Sequence, residues 1–107
     1  MEENTPYTVL YGSDKTVGDQ IAKLMEEREV LKNAILENAF EGDQFIYGIN
    51  DWDEKVGSKE NVEGQTYLNT QTWAVLANML DEEGLTTVMQ TVEDKLKCAF
   101  GYVQCAP

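Results

Sequence analysis

From Ile21 to Ala39 apolar side chains recur at steps of three and four: Ile21, Leu24, Met25, Leu31, Ile35 and Ala39, with Arg28 in the same row. Lys23, Glu26, Glu27, Lys32 and Glu37 fall on the opposite side. The pattern predicts an amphipathic helix, capped by Ser13 or Asp14, ending near Ala39–Phe40 and stopped by Gly42. A second helix is predicted from about Thr70 to Leu80. Asn69 or Thr70 would cap it, Trp73, Leu76, Ala77 and Leu80 would form its inner face, and the Asp81-Glu82-Glu83-Gly84 run would close it. A third, from roughly Leu85 to Ala99, carries a stripe of Leu85, Val88, Met89, Val92, Leu96 and Ala99.

The intervening pieces read differently. Asp43-Gln44-Phe45-Ile46-Tyr47-Gly48-Ile49 is β-prone, and Asn50 to Gly57 is a turn-rich acidic loop. Gln65-Thr66-Tyr67-Leu68 is a second short extended segment. Tyr7 to Tyr11 is an edge strand or an extended lead-in, and five residues leave both open. The tail from Phe100 to Pro107 reads as a chain leaving a helix for something outside it. The fold class expected is mainly α, three helices with short extended segments.

With 42% apolar and 26% charged residues the chain has the make-up of a small globular domain rather than a disordered segment. Its net charge of −12 excludes the clustered cations that nucleic acid or an anionic membrane requires. There is no apolar run long enough for a membrane span, and the first residues lack the pattern of a signal peptide. The chain has no histidine, which removes histidine acid–base chemistry from it. Cys98 and Cys105 are expected as free thiols of a reducing compartment, with a disulfide as the alternative.

Chemistry is concentrated between Gly57 and Met79. Glu60 and Glu63 flank Asn61 in a loop bounded by Gly57 and Gly64, so carboxylates and an amide stand on backbone that glycine can bend sharply. Such groups suit sugar hydroxyls; helix caps and solvent-facing charge are the plain alternatives. Gln71, at the start of the second helix, either points into a cavity beside that loop or decorates the first turn. Trp52 either stacks on a sugar ring or pins the loop to the core. The run Asp51-x-Asp53-x-Lys55 begins like a calcium loop and then fails. Lys55 replaces an oxygen ligand, Val56 stands where glycine is needed, and Val62 occupies the place of the final glutamate. Neither metal nor cofactor is expected.

Several of these stretches together are similar to one family. Glu37-Asn38-Ala39-Phe40-Glu41-Gly42-Asp43-Gln44-Phe45 resembles the N-x-x-W-D-G-x-W/F helix exit of glycoside hydrolase family 94, the cellobiose, cellodextrin, laminaribiose and chitobiose phosphorylases and their relatives. The likeness continues through Asp51-Trp52-Asp53 and Val56 to Asn61. It is strongest over Glu63-Gly64-Gln65-Thr66-Tyr67-Leu68-Asn69-Thr70-Gln71-Thr72-Trp73-Ala74-Val75-Leu76. It covers residues 19–107 and leaves 1–18 as an unassigned lead-in.

The resemblance implies a slice of an (α/α)6-barrel catalytic domain in a cytoplasmic inverting phosphorylase. There an aspartic acid protonates the glycosidic oxygen while inorganic phosphate attacks the anomeric carbon from the opposite face. The family's general acid lies in a Trp-Asn-Asp motif upstream of the matched region. Asn50-Asp51-Trp52-Asp53 has those letters in another order, so no catalytic residue is assigned. The resemblance puts Glu60 first, then Asn61, Glu63 and Gln71, on the substrate-binding wall. Its implied partners are a β-linked oligosaccharide, inorganic phosphate, the remainder of the catalytic domain and, among assemblies, a homodimer. Two further readings come from other classes: an independent acidic helical interaction module without catalysis, and a weak sugar-binding module.

Overall fold

The computed structural model describes residues 16–107. The predicted caps Ser13 and Asp14 and the Tyr7–Tyr11 segment lie outside the described residues. Two compact units divide at Ala34/Ile35, and the candidate chemistry falls entirely in the second.

Helix α1 spans Val17–Ala39. Thr16 and Asp19 cap its start reciprocally, the Asp19 N–H donating to Thr16 Oγ1 at 3.1 Å and the Thr16 N–H to Asp19 Oδ2 at 3.1 Å. Its end falls where the sequence places it, with Gly42 at φ +90° turning the chain away. The expected inner stripe stays largely open: Leu24, Met25 and Leu31 are each more than half exposed. Its last turns, through Ile35 and Leu36, join Phe40 and Leu80 around a core of Phe45, Ala74, Met79 and Val88.

The chain then forms a hairpin of β1 (Gly48–Ile49) and β2 (Lys55–Val56), antiparallel with Gly48 opposite Val56. Asn50 folds the tip, its Oδ1 accepting from the Trp52 N–H at 3.0 Å and the Glu54 N–H at 2.9 Å. The exposed carboxylates Asp51 and Asp53 are thus turn residues, and no metal-binding cluster of His, Cys, Asp and Glu occurs among the described residues.

Strand β3 (Thr66–Tyr67) runs straight into helix α2, Leu68–Leu76. Tyr67 takes the cap position with no side-chain bond, so neither Asn69 nor Thr70 caps this helix. The helix also ends four residues early. Asn78 at φ 54° breaks it, and the N–H groups of Ala77, Asn78 and Met79 satisfy the last carbonyls. Its inner face is corrected as well. Gln71 and Ala74 point inward, whereas Trp73 and Leu76 are 68% and 74% exposed.

Asp81, expected to close α2, instead opens α3 (Glu82–Leu96), accepting the Gly84 N–H at 2.8 Å. Glu82 and Glu83 in its first turn complement the helix dipole. The predicted stripe holds at Val88, Val92 and Leu96, all buried. The tail does not leave. Strands β4 (Lys97–Cys98) and β5 (Gly101–Tyr102) form a hairpin, and β6 (Cys105–Ala106) pairs with β3, Thr66 opposite Ala106. Short strand pairs draw the tail back onto the segment preceding α2. The fold is mainly α, three helices with short strands, as the sequence predicts.

Candidate functional site: a carboxylate-bearing loop

Residues 57–64 leave the β1–β2 hairpin at a position only glycine can occupy. Gly57 has φ +74°, and a Cβ built there would lie 2.7 Å from Tyr47 Cβ and 2.8 Å from the Tyr47 backbone nitrogen. The Tyr47 and Tyr67 rings, with centroids 4.7 Å apart, close the other side. At the far end Gly64 takes φ +63°, and its N–H donates to the Pro107 carbonyl at 2.6 Å.

Between these glycines the loop is tied down from within. Ser58 is fully buried; its Oγ donates to Glu41 Oε2 at 2.6 Å and accepts the Glu60 N–H at 3.2 Å. Glu41 Oε1 accepts the Lys59 N–H at 3.2 Å and the Gln44 amide at 2.9 Å. Gln44, also fully buried, donates to the Gln65 carbonyl at 2.9 Å and accepts from Thr66 Oγ1 at 2.7 Å. Burial opposes charge on Glu41. The hydrogen bonds from Ser58, Gln44 and the Lys59 N–H, with the nearby Lys55 ammonium, outweigh it and hold the carboxyl below its ordinary value. Lys59 itself pairs with Asp43; that carboxylate oxygen has no well-aligned hydrogen-bond donor, so the contact is an ion pair rather than a directional bond.

Three of the four candidate residues come together on the outside of this scaffold. Glu60, Asn61 and Glu63 line an open concavity of about 790 Å³ with Asn50, Asp53, Glu54, Lys55 and Tyr67. Glu60 is exposed and lies 3.4 Å from the Lys55 ammonium, a solvent-screened pair that leaves the carboxylate available. Asn61 has a second duty, its Oδ1 accepting the Ser58 N–H at 2.8 Å and its Nδ2 donating to the Lys55 carbonyl at 2.9 Å. Glu63 is exposed beside it.

Gln71 is placed elsewhere. It is fully buried, and its amide accepts the Phe45 N–H at 2.8 Å while donating to the Phe45 carbonyl at 2.8 Å and the Tyr67 carbonyl at 3.1 Å. That three-point grip closes the backbone of residue 45 as a neighbouring strand would, and leaves the side chain no free proton. Gln71 therefore does not line the concavity, contrary to the expectation that it shares one with Glu60. Trp52, 80% exposed at the hairpin tip, does not pin the loop to the core. Sequence reasoning missed Glu41, Gln44 and Ser58. Polar residues just after a helix stop, and a serine inside a loop, carry no periodic signal of burial.

The rim sets Asp53, Glu54, Glu60 and Glu63 against the single cation of Lys55. Carboxylates accept hydrogen bonds from hydroxyls, and the excess negative charge repels phosphate. Chemically, such a rim suits hydroxyl groups and disfavours phosphate.

The described residues are mainly α and present a polar, carboxylate-lined rim on an internally bonded loop. Residues 11–107 match the family model "Glycosyl hydrolase 94 superfamily, catalytic domain", and the chain belongs to that family. It is 36% identical over 85 residues to a solabiose phosphorylase of Paenibacillus borealis, covering 79% of this chain and 11% of that protein. It is 26% identical over 89 residues to a cellobionic acid phosphorylase of Neurospora crassa, covering 83% and 11%. It is 30% identical over 71 residues to a 3-O-beta-D-glucopyranosyl-beta-D-glucuronide phosphorylase of Paenibacillus borealis, covering 66% and 9%. The chain thus spans about a tenth of the length of these curated relatives, a partial segment of the catalytic domain.

Proposed function

We propose that this chain forms part of the sugar-binding wall of an inverting glycoside phosphorylase, within an (α/α)6 barrel, and that Glu60, Asn61 and Glu63 contact the sugar. The observation carrying this is their convergence on one concavity in a chain whose relatives bear the names of phosphorylases. Gln71 enters this reading behind the wall, holding the Phe45 backbone that supports it. In the intact enzyme an aspartic acid from another segment protonates the glycosidic oxygen of a β-linked di- or oligosaccharide. Inorganic phosphate then displaces the sugar with inversion, giving sugar 1-phosphate; phosphate is itself a good nucleophile and needs no second carboxylate to activate it. The remainder of the barrel is the protein partner, and a homodimer is compatible with it.

One observation supports this over an independent helical interaction module. Trp73 and Leu76 stand in solvent on one side of α2, as expected where a neighbouring helix belongs. An independent module would cover them. Among the described residues no helix is long and apolar enough to cross a membrane. Exposed thiols at Cys98 and Cys105 support a cytoplasmic setting.

The test is a titration of the 107-residue chain with methyl β-D-glucopyranoside, followed by amide chemical shifts. Shifts at Glu60, Asn61 and Glu63 are expected with a dissociation constant of roughly millimolar or weaker. No response at tens of millimolar, on the order of −2 kcal/mol, removes the wall from this chain. Incubation with cellobiose and phosphate is expected to give no sugar 1-phosphate, and its appearance would show that the segment carries its own acid.

A further inference from the structure

Behind the rim lies a polar cluster for which the hydroxyl-binding role of Glu60 has no direct use. The geometry points to Glu41 and Ser58, with Gln44 behind them, as positioning residues: a part-buried relay that fixes the Glu60 backbone from which the carboxylate is presented. The inference rests on the sugar-wall reading above and adds to it the residues that set its shape.

The relay has three links. Gln44 is fully buried between the Gln65 carbonyl, at 2.9 Å, and Thr66 Oγ1, at 2.7 Å, which ties it to the strand leading into α2. From that seat its amide fixes Glu41 Oε1, at 2.9 Å. Glu41 uses both oxygens on the loop, one on the Ser58 hydroxyl at 2.6 Å and one on the Lys59 N–H at 3.2 Å. The Ser58 hydroxyl, having given its proton to Glu41, offers its lone pair to the Glu60 N–H at 3.2 Å. A hydroxyl has one proton to give, so the carboxylate decides its direction and thereby leaves the lone pair facing Glu60. Glu60 is therefore positioned through its backbone, while its side chain stays in solvent, free for a ligand.

A loop needing only stability could use a buried apolar contact here. A fully buried serine and glutamine bonded to a carboxylate are specific in direction instead, because each bond has one geometry. Lost direction at Glu60 reads out as weaker sugar binding from an otherwise intact fold.

The experiment compares wild type, Ser58→Ala, Glu41→Gln and the double variant in the methyl β-D-glucopyranoside titration, with the Phe45 and Gln71 amide signals reporting the fold. Each single variant is expected to bind about 5-fold more weakly, the worth of one hydrogen bond, with faster hydrogen exchange at the Glu60 amide. The double variant is expected to be no worse than the weaker single, since both cut one chain. Unchanged affinity in folded variants overturns the inference and leaves the sugar wall standing. Loss of the Phe45 and Gln71 signals in both single variants overturns it too, because the cluster then holds the fold rather than the rim. No response from wild type defeats the sugar wall itself, and the positioning role with it.

Discussion

On the two sides of helix α2 the usual distribution is inverted. The inward side carries Gln71, fully buried, and the outward side carries Trp73, 68% exposed. The buried amide is satisfied by three bonds inside this chain, whereas the indole is mostly uncovered by the described residues. Polar interior groups finish their own structure; apolar outer groups wait for a neighbour. On the proposed reading, such a segment completes its own bonding around the loop and keeps its helix face for the rest of the domain.

Breaking the inward side has the largest expected effect. Gln71→Met leaves the N–H and C=O of Phe45 buried without partners, and at about 1–3 kcal/mol each the loss is roughly 2–6 kcal/mol. A urea midpoint close to that of wild type would show that residue 45 finds other partners. Gly57→Ala comes next. It combines a left-handed residue with a clash against the Tyr47 backbone, about 2–4 kcal/mol, and should also displace residues 57–64 as seen by their amide shifts. An unperturbed loop in this variant would contradict the fit between Tyr47 and Tyr67.

The pH dependence is smaller. Glu41 is held below its ordinary value of 4.5 in the folded chain, so its contribution is fully present above that pH and is lost as pH falls through the lowered folded value. Stability should therefore decline as pH falls below that ordinary value, more steeply in wild type than in Glu41→Gln. Equal slopes would mean that Ser58, Gln44 and Lys59 do not favour the ionised form.

Breaking the outward side has the smallest effect. Trp73→Gln should change stability by less than about 0.5 kcal/mol and reduce binding of a hydrophobic dye. A loss of about 3–5 kcal/mol would instead place the indole in a core, as the sequence alone suggests.

That contrast also shows how far the sequence could be read. Periodicity located three helices, but only in α3 does the predicted stripe supply a buried row, Val88, Val92 and Leu96, with Met89 more exposed and Ala99 beyond the helix end. It misplaced the face of α2, since the pattern counts apolar residues and cannot see that a glutamine is bonded on both sides. The Asp81–Gly84 run was legible as a boundary but not as a beginning. Asp81 caps the helix on its C-terminal side, and Glu82 and Glu83 fit a positive helix end. The pairing of β6 with β3 joins residues 105–106 to 66–67, a contact that no local signal encodes. At the site, the carboxylates and amide of the rim could be named from glycine-flanked residue types. The supporting Glu41, Gln44 and Ser58 could not, because their mutual bonds, and the burial of Gln44 and Ser58, arise only when a helix exit and a distant loop meet.

Where a sugar lies on the chain is the most direct question. Intermolecular NOEs from methyl β-D-glucopyranoside are expected at the side-chain protons of Glu60, Asn61 and Glu63, and absent at the Trp73 indole. NOEs to Trp73 with none at Glu60 would put the ligand on the helix face and contradict the division between a finished loop and an unfinished wall.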